Sequence, residues 1–138
     1  MAGMVVDASV AASWCFEDET SPFTESMLDD VTQNGARVPA LWLFEMSNVL
    51  AVAERRGRID VEQVTRFQEA LLALPVLIDR AEERALVPAL IHVARVHGLT
   101  AYDASYLELA MRSGLPLATR DGALRAAAER VGVTLFAS

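Results

Sequence analysis

Four acids fall where an apolar run would otherwise continue or where a helix opens: Asp7, Glu45, Asp103 and Asp121. Asp7 ends the apolar run Gly3-Met4-Val5-Val6, and Glu45 interrupts the mostly apolar stretch from Leu41. Asp103 follows Thr100 at a helix start. At helical spacing it shares a stripe with Leu107 and Ala110, while Ser105, Glu108 and Arg112 form the expected solvent stripe. A bare carboxylate on an apolar face is costly. Carboxylates brought together repel and resist ionising. A hard divalent cation, Mg2+ or Mn2+, relieves that repulsion, takes oxygen ligands and keeps waters for a substrate phosphate. Such a site activates water and stabilises in-line attack on phosphorus.

Each acid also has a plainer role. Asp7 suits the cap of a helix from Ala8, and Asp121 the cap of a helix from Ala123. Thr100-x-x-Asp103 fits a capping box, and Glu45 suits a first-turn acid favoured by the helix dipole. Singly, these roles are at least as good as a chemical one. The joint placement of the four is harder to explain that way.

The elements that must position them alternate. Strands are expected at Gly3–Val6, Ala36–Val38, Pro75–Ile78, Leu115–Ala118 and Val133–Phe136. Helices are expected at Ala8–Phe16, Thr24–Gln33, Leu41–Arg56, Val61–Leu74, from Asp79 to about Val96, from Thr100, and at Ala123–Arg130. Asp60 with Gln63, and Asp79 with Glu82, read as helix starts, and Gly57, Gly98 and Gly132 as stops. Short strands alternating with helices imply an α/β/α arrangement around a central, mostly parallel sheet of about five strands. Ligands bind such a sheet beyond the carboxyl ends of its strands, and ordinary crossovers bring all four acids to that edge.

The 138 residues suit one domain spanning 1–138, and 53% apolar content is enough for a core of its own. The net charge of −7 argues against charge-driven nucleic-acid binding, though not against an acidic site neutralised by metal. Every basic residue is arginine, which removes mechanisms that need lysine. A lone cysteine, Cys15, fits a reducing cytoplasm and reads as a small buried apolar residue. No membrane span or secretory signal is expected.

At this point the sequence resembles a known family. Val5-Val6-Asp7-Ala8-Ser9-Val10, Phe44-Glu45-Met46-Ser47-Asn48-Val49-Leu50, Thr100-Ala101-Tyr102-Asp103-Ala104-Ser105-Tyr106 and Ala118-Thr119-Arg120-Asp121 are similar, in order, to the motifs of PIN-domain ribonucleases. Among these it resembles the VapC-type toxins of bacterial toxin–antitoxin pairs. The resemblance implies Asp7, Glu45, Asp103 and Asp121 as catalytic, metal-site acids. It implies supporting roles for Ser9, Asn48 and Thr119. It further implies a Mg2+- or Mn2+-dependent endoribonuclease that cuts single-stranded or loop RNA (tRNA, rRNA or mRNA) and leaves a 5′-phosphate and a 3′-hydroxyl. A homodimer and a cognate antitoxin partner are implied as well.

Among other residues, Arg120 is the candidate RNA contact because it adjoins Asp121. Arg55, Arg56 and Arg58 read as a solvated helix end, and His92 and His97 as ordinary helix residues. Trp14, Phe16, Trp42 and Phe44 suit core or interface, and Trp42, Phe44 and Phe67 are expected to exceed what the core can bury. Two alternatives stand beside the nuclease. One is a catalytically inactive PIN-like interaction module, which loss of an acid would signal. The other is a phosphatase of another α/β fold; a haloacid-dehalogenase-like enzyme would want an Asp where Ser9 stands, and a phosphate-receiver protein or a P-loop would want a lysine.

Overall fold

Three consecutive apolar residues with no polar alternation make a strand that must be covered on both sides. Met4–Val6, strand β1, is such a run, and all three residues are fully buried. The structure, a computed structural model, describes residues 3–136. Its elements follow in order as β1, α1 (Ala8–Ser13), a 3-10 turn (Glu17–Glu19), α2 (Pro22–Asn34), β2 (Ala36–Val38), α3 (Leu41–Arg55), α4 (Val61–Ala73), β3 (Val76–Ile78), α5 (Glu83–His97), α6 (Ala101–Ser113), β4 (Leu117–Ala118) and α7 (Gly122–Val131). The strands form one parallel sheet in the order β3-β2-β1-β4. Helix α1 packs on α2 and α3, and α3 on α4; α6 packs on α5, α7, β1 and β4. The result is the expected α/β/α layering. No described helix is long and apolar enough to cross a membrane.

The strand order fixes where ligands go. From β1 the sheet extends one way to β2 and the other way to β4, so the direction of chain travel reverses between β1 and β4. Open parallel sheets bind ligands outside the strand carboxyl ends at such a switch point. Asp7 follows β1 there, and Thr119 and Asp121 follow β4.

Five expectations need correction. The fifth strand, Val133–Phe136, is reduced to a single parallel bridge between Leu117 and Leu135. Its intended neighbour β4 is two residues long, so little ladder is available to extend. Asp79 does not open α5; Glu82 does, accepting from Arg84 N at 3.0 Å and Ala85 N at 3.1 Å. Ser105 and Glu108 are buried rather than solvent-facing, because α6 lies between α5, α7 and the sheet and is covered from Ala104 to Ala110. Glu45 lies beyond the first turn of α3, so the dipole role does not apply to it. Helix α2 starts at Pro22 rather than Thr24, because Ser21 and Thr24 form a capping box. Elsewhere local signals held: Asp60 with Gln63 forms both halves of a second capping box, and Gly98 and Gly132 end their helices at positive φ, where a side chain would be strained.

Candidate functional site

Asp7 is the centre of the carboxyl edge. Its backbone N–H extends the pairing of β1 with β4 by donating to Ala118 O at 3.1 Å. Its side chain is 5% exposed, yet it is well supplied with donors. Oδ1 accepts from Ser9 N at 2.7 Å, from Val10 N at 3.3 Å and from the Ser9 hydroxyl. Oδ2 accepts from the Thr119 hydroxyl. A buried carboxylate needs such partners, and a charged acceptor strengthens each bond.

Thr119, fully buried, joins two acids. Its hydroxyl donates to Asp7 Oδ2 and accepts from Asp121 N at 3.0 Å. Asp121 Oδ1 in turn accepts from Leu124 N at 2.9 Å and caps α7. Asp103 stands in the first turn of α6, where Thr100 caps the helix through Asp103 N at 3.1 Å. The reciprocal contact from Asp103 to Thr100 N, present in the boxes of α2 and α4, is absent among the described residues. Glu45, half-buried on α3, receives a hydrogen bond on Oε1 from the buried Tyr106 phenol of α6.

The electrostatics tie the four together. Burial, first, and then Asp121 and Asp7 push the Asp103 carboxyl above its usual range, with the Thr100 hydroxyl opposing. Burial also pushes Glu45 up; the Tyr106 hydrogen bond opposes it, while Asp7 and Asp103 add to it. Each of the four therefore lies within electrostatic reach of at least one other, on one edge. As placed, no three His, Cys, Asp or Glu side chains among the described residues close around a single ion position. Both Asp7 oxygens are turned to protein donors. The arrangement is an open carboxylate edge rather than an all-protein cage. A cavity of about 620 Å3 lined by Asn34, Gly35, Pro75 and Val76 lies at the opposite, amino ends of β2 and β3 and has no acid of this group in its lining.

The secondary candidates divide. Ser9 and Thr119 both donate to Asp7. Asn48 is exposed on α3 and makes no side-chain hydrogen bond to any of the four acids among the described residues. Arg120 is exposed beside Asp121. Arg58 is not simply solvated: it pairs with Asp18 at 2.6 Å and Glu19 at 2.9 Å and stacks 3.8 Å over Phe16. Trp42 is buried, Phe67 packs edge-on against Phe16, and Phe44 is 73% exposed. Cys15 is buried, and burial pushes its thiol up to about 11, in keeping with a packing residue. Tyr106, the partner of Glu45, is not singled out by the sequence. It stands three residues after Asp103, but nothing in the sequence separates it from an ordinary core aromatic.

A family model described as PIN domain matches residues 4–130. Exonuclease VapC9 of Pyrobaculum aerophilum is 38% identical over 87 residues, a match spanning 62% of this chain and 62% of that protein. The crystal structure of PAE2754 from Pyrobaculum aerophilum is similar with a TM-score of 0.70 at 26% identity, over 91% of this chain and 84% of that one. A toxin–antitoxin complex from Klebsiella pneumoniae shares the fold, with a TM-score of 0.60 at 18% identity over 86% of this chain and 87% of that one.

Proposed function

Because the chain belongs to the PIN domain family, we propose that it is a Mg2+- or Mn2+-dependent endoribonuclease whose metal-site acids are Asp7, Glu45, Asp103 and Asp121. The observation that carries this reading is the position of Asp7 and Asp121 after β1 and β4 at the switch point, with Asp103 within electrostatic reach of both and of Glu45. The donor set suits a hard cation, having oxygen ligands only. The openness of the edge suits Mg2+ in particular, which binds through one or two carboxylates and keeps several waters. When bound, the cation supplies Lewis-acid stabilisation of phosphate oxygens and a water of lowered pKa.

The chain's own residues do the rest. Ser9, Val10 and Thr119 hold the Asp7 carboxylate in one orientation; Oδ1 is taken up by Ser9 and Val10, while Oδ2, which accepts from Thr119, keeps a lone pair for a cation. Thr119 couples that orientation to the Asp121 backbone. Arg120, exposed beside Asp121, is the proposed contact for a phosphate of single-stranded or loop RNA. Cleavage by water then leaves a 5′-phosphate and a 3′-hydroxyl.

The name of the Pyrobaculum relative specifies an exonuclease, so the test must separate the two modes. Purified protein is incubated with a covalently closed single-stranded RNA circle in Mn2+, in Mg2+ and in chelator. Endonucleolytic cutting linearises the circle only with metal. A circle left intact while a linear strand is shortened refutes the endonuclease reading, and both left intact with either metal refutes the nuclease.

The proposal extends to a cytoplasmic homodimer held by a cognate antitoxin. The Klebsiella neighbour is a toxin–antitoxin complex, which supports the partner, and the exposed Phe44 and Leu43 on α3 support an interface. Light scattering that reads a monomer at micromolar concentration removes the homodimer; purification from the native host without a small co-encoded protein counts against the antitoxin.

A further inference from the structure

We infer that Tyr106 is a positioning residue of the acid cluster, one that commits Glu45 Oε1 and leaves Oε2 as the oxygen available to a cation. The inference rests on the metal-site reading above. Tyr106 is 2% exposed, and its phenol donates to Glu45 Oε1 across the gap between α6 and α3. A carboxylate only accepts, so the phenol is bound to donate. No other hydrogen bond reaches the Glu45 carboxylate among the described residues. Glu45 hangs from α3 by a side chain with three rotatable bonds, and only this contact fixes where its carboxylate ends. Ordering such a side chain on ligand binding costs conformational entropy. The phenol, itself fixed by the core, meets that cost before a cation arrives.

The placement is economical. Asp103 and Tyr106 lie three apart, on one face of α6. One helix therefore delivers an acid to the edge and also restrains the acid of a neighbouring helix. Asp7 lies within electrostatic reach of the same phenol, so Tyr106 stands behind the cluster rather than at a distance from it. Partners that orient the ligands of a metal commonly matter 10–100-fold in affinity. A buried tyrosine also needs some acceptor for its hydroxyl, and a purely structural role predicts a different outcome.

Mn2+ binding is measured by calorimetry on wild type, Tyr106→Phe and Asp7→Asn, with the metal-free melting temperature of each. The expected result is a Mn2+ affinity about 10–100-fold weaker in Tyr106→Phe, with its circular dichroism unchanged. Tyr106→Phe binding Mn2+ as wild type does, with only a lower melting temperature, overturns the inference and leaves the metal site standing. Wild type without Mn2+ binding, or Asp7→Asn binding as well as wild type, overturns the site itself and the role of Tyr106 with it. Should Tyr106→Phe fail to fold, the double variant with Glu45→Gln decides. Folding of the double supports action through the Glu45 carboxylate, and failure of both overturns it.

Discussion

Replacing Thr119 by valine keeps the shape of a fully buried side chain and deletes one oxygen. That oxygen donates to Asp7 Oδ2 and accepts from Asp121 N. Asp7 is 5% exposed, so water has little access to replace the lost donor. A hydrogen bond to a charged group contributes about 1.5–3 kcal/mol. The Asp121 N–H is partly exposed and can turn to water, so its loss adds little. The valine methyl recovers up to about 0.8 kcal/mol through burial. The net cost is about 1–2 kcal/mol, read as a lower urea midpoint with an unchanged slope. A double-mutant cycle with Asp7→Asn identifies the source. If the hydroxyl serves the carboxylate, Thr119→Val costs about 1 kcal/mol less once Asp7 is neutral. A cost under about 0.5 kcal/mol, or an equal cost in both backgrounds, refutes the claim that Thr119 holds Asp7.

Asp103→Asn removes one charge from the cluster without a change of volume; the metal-free protein should be as stable as wild type or more so, and its Mn2+-induced rise in melting temperature should shrink. A loss of about 0.3–1 kcal/mol with the Mn2+ response intact assigns the residue to the helix start instead. Arg112→Met strands Asp79 and Glu108, which Arg112 contacts at 2.7 Å and 2.8 Å, and should cost about 1–3 kcal/mol by urea denaturation, less than a fully buried pair because the arginine is 40% exposed. Arg112 holds the Asp79 carboxyl below its usual range, so this stability is present above the unfolded value near pH 4 and lost as pH falls through the lower native one. The wild-type advantage should therefore narrow below about pH 4, and a gap that stays constant to lower pH contradicts the pairing.

The parts of the fold that local chemistry decides were readable from residue order. Met4–Val6 is apolar on both faces, Asp60 and Gln63 cap reciprocally, and Gly98 and Gly132 stop helices, all as residue type alone requires. What failed depended on neighbours distant in sequence. Periodicity assigns faces to a helix that has one buried side, but α6 is covered from several directions, so Ser105 and Glu108 went to the wrong environment. Asp79 carried a credible cap signal, yet Arg112, 33 residues away, engages it. Tyr106 meets Glu45 across 61 residues, and no spacing rule reaches that far.

A cap role for an acid and a place for it at the strand ends are compatible. Asp7 and Asp121 each accept backbone N–H groups at a helix start, where the dipole favours negative charge. That same position keeps them at the strand ends, because α1 and α7 begin directly after β1 and β4. Glu45 and Asp103 cap no helix, and it is these two that burial and their neighbours push above the carboxylate range. The edge thus combines two acids that accept backbone N–H groups as caps with two that do not and that burial and neighbouring acids push up. Bringing in positive charge relieves the second pair most. This division explains why a cap-like residue such as Asp7 is no evidence against a site, and why the two uncapping acids are the ones to perturb.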